Sequence, residues 1–438
     1  MSLVSSFDIS TYCGAFQANR TVRDRIVARI QTGLHSRNIS VTDLVSVRQA
    51  YWARVRPDIR PDMERSADML AGSAFHDAFN WKVSSEEWIE QTVYYQDVVG
   101  RIDIFQKKPL ELKTSKTPVE PHELKTLRPG YLEQLGLYCA MVGQTDGYIL
   151  IYNRGQGRVL IGASVHFLDI GDILKELLCR RDLLRQALEN RNPALLPPCP
   201  WKGKGCLYED ICDCEPQNAL FPIADLAEVQ ADQALEEEFA ERFKEAPSPE
   251  RGGTRINDLV FPRKTFFKSA KKEEHGELSD DLAALDGQAF MQNLKYRGLG
   301  VSGELTSKPV EFGDVTGRVE FHEGRTLWFT RSGVRKPIER YRLPAVLAHA
   351  LLRLGFNAVL ANRGRSRLVV YYPNVNDDNS RIMVYDFTWT DLRPIRDEMV
   401  RRTGALKSAR SSMNHAALPM CPSWMCQRCE FSQACVGS

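Results

Sequence analysis

Two carboxylates and an amine stand close together in the stretch GRIDIFQKKPLELKTSK, as Asp103, Glu111 and Lys113. Asp103 lies in one apolar run and Glu111 begins the next, so a hairpin would bring both carboxylates to one edge of a sheet. The period-two alternation of a strand then turns Glu111 and Lys113 to the same face. Two hard oxygen donors suit Mg²⁺ or Mn²⁺, and a cation beside them suits an attacking water. Hydrolysis of a phosphodiester needs that combination. His76 in GSAFHDAF adds an imidazole, and Gln134 and Tyr138 in YLEQLGLY add two polar groups four residues apart. Taken singly, each piece has an ordinary reading: a solvated strand edge, a core histidine beside Phe75, a packed face of one helix. Their joint order is what raises the chemical reading above these.

Such residues need a scaffold. Helical periodicity predicts leading helices from about Asp43 to Arg54 and from Gly72 to Trp81. Strands follow at Thr92 to Asp97, Arg101 to Phe105 and Leu110 to Thr114, then a helix from Tyr131 to Met141. Strands at Tyr148 to Tyr152 and near Gly162 to Phe167 precede a helix from about Ile170 to Glu189. Apolar strands interleaved with helices describe a mixed α/β core.

At this point the sequence resembles the PD-(D/E)xK nuclease superfamily, and within it the RecB-like branch. That branch includes the AddB nuclease domain and CRISPR-associated RecB-like exonucleases carrying an iron–sulfur cluster. A helix His, a G-x-x-D strand, an E-x-K strand and a Q-x-x-x-Y helix fall in order on His76, Asp103, Glu111 with Lys113, and Gln134 with Tyr138, over residues 43 to 214. The resemblance implies a restriction-endonuclease-like fold in which His76, Asp103, Glu111 and the Leu112 carbonyl bind metal. It implies that Lys113 orients or activates water and that Gln134 and Tyr138 line the DNA path. Arg101, in the same GRID stretch, joins them as a candidate substrate contact.

The chain is written twice. TDLVSVRQAYW from Thr42 answers to NDLVFPRKTFF from Asn257, GSAF from Gly72 to GQAF from Gly287, and DVVGRIDIF from Asp97 to DVTGRVEF from Asp314. Tyr131 to Ala140 resembles Tyr341 to Ala350 as a helical segment, and YILIYN from Tyr148 resembles LVVYYPN from Leu368. The expected layout is therefore two tandem domains, an active one over 1–216 and a degenerate copy over 251–438, with an acidic helical linker over 217–250. In the second copy Met291 stands for His76, Glu320 for Asp103, Trp328 for Glu111 and Thr330 for Lys113, while Pro344 and Ala348 fall at Gln134 and Tyr138. Without two carboxylates and a nearby cation no hard-metal site forms there, and Glu320 with His322 reads as a surface pair.

Eight of eleven cysteines form two groups: Cys199, Cys206, Cys212 and Cys214, then Cys421, Cys426, Cys429 and Cys435. Thiols packed this densely in a reducing compartment read as ligands rather than disulfides. Four thiolates suit a [4Fe–4S] cluster or tetrahedral zinc, and the resemblance favours two iron–sulfur clusters. In those relatives one cysteine comes from the leading helix. Here Val47 and Pro262 stand at those positions, so all four thiolates are local to each group.

A chain of 438 residues exceeds one core, and its 43% hydrophobic and 26% charged residues exclude wholesale disorder. The net charge of +2 neither demands nor forbids nucleic acid, since local grooves decide binding. Basic and aromatic residues interleave at Arg48 to Pro57 and at Pro262 to Lys272, as DNA-facing stretches do. No leader pattern and no run of about 18 apolar residues occur, so a soluble, cytoplasmic protein without a membrane is expected. There is no GxxxxGK[ST] sequence, and unwinding would have to come from a helicase partner. The expected activity is metal-dependent end-processing of single-stranded or frayed DNA, in repair, defence or CRISPR adaptation beside an integrase. The alternative is a non-catalytic DNA-binding scaffold.

Overall fold

The computed structural model describes residues 7–32, 38–83, 89–106, 108–155, 160–199, 206–245, 254–270, 278–300, 304–422, 425, 429 and 431–436. Two compact units emerge. The first holds Gln31–Pro247 and Gly276–Gln292, and the second holds Met1–Ile30, Ser248–His275 and Asn293–Ser438.

In chain order, β1 (Gln17–Ala18) and α1 (Arg20–Gln31) precede β2 (Ile39–Ser40), α2 (Val41–Val45), α3 (Val47–Val55) and α4 (Met63–Val83). Next come β3 (Ile89–Tyr95), β4 (Val98–Gln106), β5 (Lys108–Ser115), α5 (Leu124–Leu127) and α6 (Pro129–Val142). They are followed by β6 (Asp146–Asn153), β7 (Leu160–Phe167), α7 (Ile170–Asn190), β8 (Ala227–Ala231) and α8 (Gln233–Glu245). The order then recurs as β9 (Thr254–Arg255), α9 (Ile256–Val260), α10 (Pro262–Ala270), α11 (Leu278–Leu299), β10 (Leu305–Phe312), β11 (Val315–His322) and β12 (Arg325–Arg331). The repeat closes with α12 (Leu343–Val346), α13 (Ala348–Ala361), β13 (Arg365–Tyr371), α14 (Asp378–Arg381), β14 (Ile382–Thr388), α15 (Arg393–Ser412) and α16 (Ser432–Val436).

Each unit is a mixed sheet flanked by helices. The first sheet runs β2-β4-β5-β6-β7-β8 with β3 also on β4, and the second runs β1-β14-β13-β12-β11-β10 with β9 on β11. Among the long strands of the described residues only β5 with β6 and β12 with β13 run parallel. Parallel neighbours need a crossover, which α6 and α13 supply. In β6, Ile149 and Ile151 join the core beneath α6 and α7, while Leu150 and Tyr152 join the one beneath α4 and α8. A strand apolar on both faces is what helices on both sides of a sheet require.

The repetition extends to buried charge. Arg180 of α7 is fully buried, pairs with Glu176, and donates to the Leu44 carbonyl of α2 at 3.1 Å. Arg402 of α15 pairs with Glu398 and donates to the Leu259 carbonyl of α9 at 2.9 Å. In both units one guanidinium ties a long helix, α7 or α15, to a short one, α2 or α9.

Several expectations need correction. The leading helix is two helices, α2 and α3, broken at Ser46 (φ −138°, ψ 67°). Residues expected to be linker are structural, since β8 pairs with β7, and Leu235, Phe239 and Phe243 of α8 pack beside Phe75 and Leu112. Nor do the units follow 1–216 and 251–438. Residues Met1–Ile30 belong with the second unit, where β1 pairs with β14, and Gly276–Gln292 belong with the first, where Leu282 enters the core.

Candidate active site

The site is built on the β4–β5 hairpin, whose register pairs Ile104 with Leu110 and Phe105 with Pro109. Beyond Ile104 the ladder with β5 stops, and β4 carries an extra residue against β3 between Ile102 and Phe105, where Asp103 lies. Asp103 Oδ2 accepts the Leu112 N–H at 2.9 Å and lies 3.4 Å from His76 Nδ1, which α4 carries across the sheet. Asn80, one turn beyond His76, donates to the Asp103 carbonyl at 3.3 Å. Glu111 and Lys113 share the face toward α6 and form a direct ion pair. Lys113 Nζ donates to Gln134 Oε1 at 3.0 Å, and Gln134 Nε2 donates to the Tyr138 hydroxyl at 3.1 Å. Tyr138 is buried, so it reaches the site through Gln134 and does not line a DNA path. Its ring fills the space over Gly100, where an added Cβ would come within 2.9 Å of Cε1. Arg101 is well exposed and pairs with Glu90 at 3.4 Å.

The electrostatics separate the two carboxylates. Burial pushes the Glu111 carboxyl up to about 8, opposed by the Lys113 ammonium and reinforced by the Asp103 charge. Burial also works against an ionised Asp103, but His76 by hydrogen bond and charge, with Lys113 behind it, outweighs burial and holds that carboxyl below its usual range. Burial favours a neutral Lys113, yet the charges of Glu111 and Asp103 keep its ammonium form above the usual range. Tyr138 is raised well above an ordinary phenol by burial.

Two buried atoms of the site are left over, Asn80 Oδ1 and Glu111 Oε2. Glu111 Oε2 has no hydrogen-bond partner among the described residues. An orphaned carboxylate oxygen costs free energy unless something electropositive meets it. The donor chemistry, two carboxylates with an imidazole and a nearby backbone carbonyl, fits a divalent cation. No three His, Cys, Asp or Glu side chains among the described residues are already arranged around one point as a ready ion cage.

The second unit fills the equivalent positions differently. Counted from the left-handed caps at Gly143 and Asn362, Ile149 and Leu368 correspond, and they pair with Glu111 and Trp328, so Trp328 and Thr330 take the places of Glu111 and Lys113. The helix positions are not Pro344 and Ala348. Left-handed caps at Gly143 and Asn362 end α6 and α13, which aligns Gln134 with Arg353 and Tyr138 with Asn357. Glu320 is sealed by an ion pair with Lys295 of α11, and Arg353 lies 3.7 Å over the Trp328 ring. His322 is fully buried and contacts Arg367, so it is no surface pair with Glu320.

The cysteines are less tightly gathered. Burial raises the Cys199 thiol; backbone N–H groups of Gln49 and Arg48 lower it, and Cys206 and Cys212 raise it, so these thiols are neighbours. Cys421, Cys429 and Cys435 line one cavity of about 20 Å³. No three described thiols converge as a metal-binding group, and Cys426 lies outside the described residues. Sequence reasoning missed an arginine in each unit. Arg48 Nη1 lies 3.6 Å from Cys212 Sγ, with Nε on the Leu196 carbonyl at 3.1 Å. Arg263 Nη1 lies 3.7 Å from Cys435 Sγ, with Nε on the Leu418 carbonyl at 2.9 Å. Their signal was the repeat itself, since Arg48 and Arg263 occupy one position in the two copies, beside Val47 and Pro262.

No family model matches the chain, and no curated protein matches it. Among solved structures, one described as the crystal structure of SSO0001 aligns at 20% identity over 46% of this chain and 95% of its own, with a TM-score of 0.32. That likeness carries no argument about function. No single helix among the described residues is long and apolar enough to cross a membrane.

Proposed function

We propose that the first unit is a PD-(D/E)xK nuclease of the RecB-like kind, hydrolysing phosphodiesters of DNA with Mg²⁺ or Mn²⁺. One observation carries the reading: His76 meets Asp103, Asp103 accepts the N–H of Leu112, and the residues on either side of Leu112, Glu111 and Lys113, continue the contacts to Gln134 and Tyr138. His76, Asp103, Glu111 and the Leu112 carbonyl would hold the cation, which supplies Lewis acidity toward the phosphate and acidifies water. Lys113 holds its proton and positions the nucleophile beside the phosphate. Gln134 fixes the Lys113 amine, the Tyr138 hydroxyl fixes Gln134, and exposed Arg101 meets the strand's backbone. The second unit is the catalytically dead copy, its Glu320 neutralised by Lys295. The thiol groups beside Arg48 and Arg263 hold structural [4Fe–4S] clusters, with zinc as the alternative that the same sulfur donors accept.

The test is digestion of end-labelled DNA in Mn²⁺ with and without chelator. Lys113→Ala is expected to slow cleavage by about 10²-fold or more. Undiminished metal-dependent cleavage by that variant overturns the assignment, and no cleavage by the wild type leaves the scaffold reading. Iron and zinc content with the ultraviolet–visible spectrum of anaerobically purified protein decides the cluster chemistry. A colourless, zinc-only protein sinks iron–sulfur.

A further inference from the structure

Between β12 and α13 the second unit carries a run of unneutralised cations. Arg331, Arg335, Lys336, Arg340 and Arg342 are all exposed, and none of them forms an ion pair among the described residues. Elsewhere in the same unit exposed cations do find partners: Arg393 pairs with Asp391, Arg396 with Asp397 and Lys407 with Asp314. Glu339 is the one acid of the run, and it accepts the Tyr341 hydroxyl. The Tyr341 ring, between Arg340 and Arg342, is 80% exposed.

These side chains stand on a fixed backbone. Ser332 donates its N–H to the Tyr371 carbonyl at 2.9 Å, and Asn374 Nδ2 donates to the Gly333 carbonyl at 2.8 Å. The Ile338 N–H donates to the Tyr372 hydroxyl at 3.4 Å. Ser332, Ile338 and Leu343 are buried, and Arg340–Arg342 is a 3-10 turn closed by the Arg342 N–H on the Glu339 carbonyl at 2.9 Å. A backbone already held presents its charges without the ordering cost that a loose loop bears on binding.

The first unit has the same turn with a different surface. TPVEPHEL from Thr117 answers to KPIERYRL from Lys336, with Val119 and Leu124 buried as Ile338 and Leu343 are, and with Pro121–Glu123 as the 3-10 turn. There Glu123 Oε2 accepts the Glu120 N–H at 3.0 Å, and Lys116 is paired with Asp68 at 2.6 Å. Where the first unit has Pro121, His122 and Glu123, the second has Arg340, Tyr341 and Arg342. Packing accounts for the buried positions, which the two turns share. It does not account for the cations and the ring, which belong to the second alone.

A row of free cations attracts phosphates with release of counterions, and an exposed ring offers its face to an unpaired base. We propose that the turn from Arg331 to Arg342 is a platform for a single nucleic-acid strand, its phosphates on the guanidinium and ammonium groups and a base on Tyr341. The second unit, without chemistry of its own, thus holds a strand. The proposal stands on this surface and does not need the first unit's chemistry.

Fluorescence anisotropy of the full chain in EDTA measures binding without hydrolysis. The probes are a fluorescein-labelled dodecathymidylate and an abasic strand of the same length, which carries the phosphates without the bases. Arg340→Glu with Arg342→Glu is expected to weaken both strands about tenfold and to flatten the slope of log affinity against log salt by about 1.4. Tyr341→Ala is expected to weaken the thymidylate about fivefold or more and to leave the abasic strand within about twofold. Arg393→Glu with Arg396→Glu makes the same change of charge elsewhere in the unit and should leave both strands at wild-type affinity. Wild-type affinity for the thymidylate in the Arg340/Arg342 or the Tyr341 variant overturns the proposal. So does a tenfold loss in the Arg393/Arg396 variant, or equal loss of both strands in Tyr341→Ala. A wild type that binds phosphatidylserine vesicles and neither strand gives the surface to a membrane and overturns it as well. The expected losses in EDTA, with no Mn²⁺ cleavage by the wild type, keep the platform and sink the nuclease. Cleavage with unchanged variant affinities does the reverse.

Discussion

Glu111→Gln is expected to make the metal-free protein more stable while ending its chemistry. The carboxyl is buried, and its folded value of about 8 stands well above the 4.5 of the free side chain. A carboxyl raised in the folded state favours folding fully only below its unfolded value, and that contribution is lost as pH rises through the folded value. By pH 7 the wild type has forfeited about 3 kcal/mol through this group, at about 1.4 kcal/mol per unit. Glutamine keeps the shape and has no charge to lose. Part of the gain is offset because the amide nitrogen takes the buried place of Oε2, which has no hydrogen-bond partner among the described residues. A net gain of about 1–2 kcal/mol corresponds to a melting temperature higher by roughly 2–8 °C. Calorimetry in EDTA from pH 5 to 8.5 should show the two proteins converging at the acid end and parting as pH rises. Mn²⁺ should then raise the wild-type transition and leave the variant's unmoved. A variant that melts below the wild type at pH 7.5 in EDTA, or answers equally to Mn²⁺, refutes the account of Glu111.

Tyr138→Phe removes the acceptor that fixes Gln134 and should lower kcat several-fold with KM nearly unchanged in steady-state digestion; a change confined to KM would show that Tyr138 acts on substrate binding. Gly100→Ala drives a methyl group into the Tyr138 ring and should cost about 1–3 kcal/mol in urea denaturation; no loss would mean the ring yields freely. Arg180→Ala leaves Glu133 buried without its cation, and about 3–5 kcal/mol should disappear from the first unit's stability in the same experiment. Lys295→Met touches only the second unit's ion pair and should leave cleavage at the wild-type rate; a drop would place chemistry there.

Much of the site was legible because its order follows from strand periodicity. Glu111 and Lys113 keep the two-residue alternation of β5, whereas Ile102 and Ile104 enter opposite cores, so the placing of Asp103 rests on an irregularity in β4 that periodicity does not show. The duplicated order of elements was equally readable. What escaped depended on partners distant in sequence. An acidic, alanine-rich composition over 221–249 suggests a linker, yet Leu235, Phe239 and Phe243 recur at the four-residue interval of a buried helix face and carried the contrary signal. The counterparts of Gln134 and Tyr138 were displaced because matching Tyr131 to Tyr341 sets the second helix out of the register that the left-handed caps at Gly143 and Asn362 define. Arg48 and Arg180 look like solvated charges until the carbonyls they satisfy are known.

The pairing of Gln17 with Asp386 bears on how the second unit is born. A ribosome adding roughly 5–20 residues per second needs about 20–75 s to travel between those positions. Throughout that interval Val22, Ile26 and Ile30 of α1, which end up buried, have no surface of their own unit to cover them. The nascent segment is thus a natural client for a holding chaperone. The first unit's sheet needs none of those residues and can assemble while they wait.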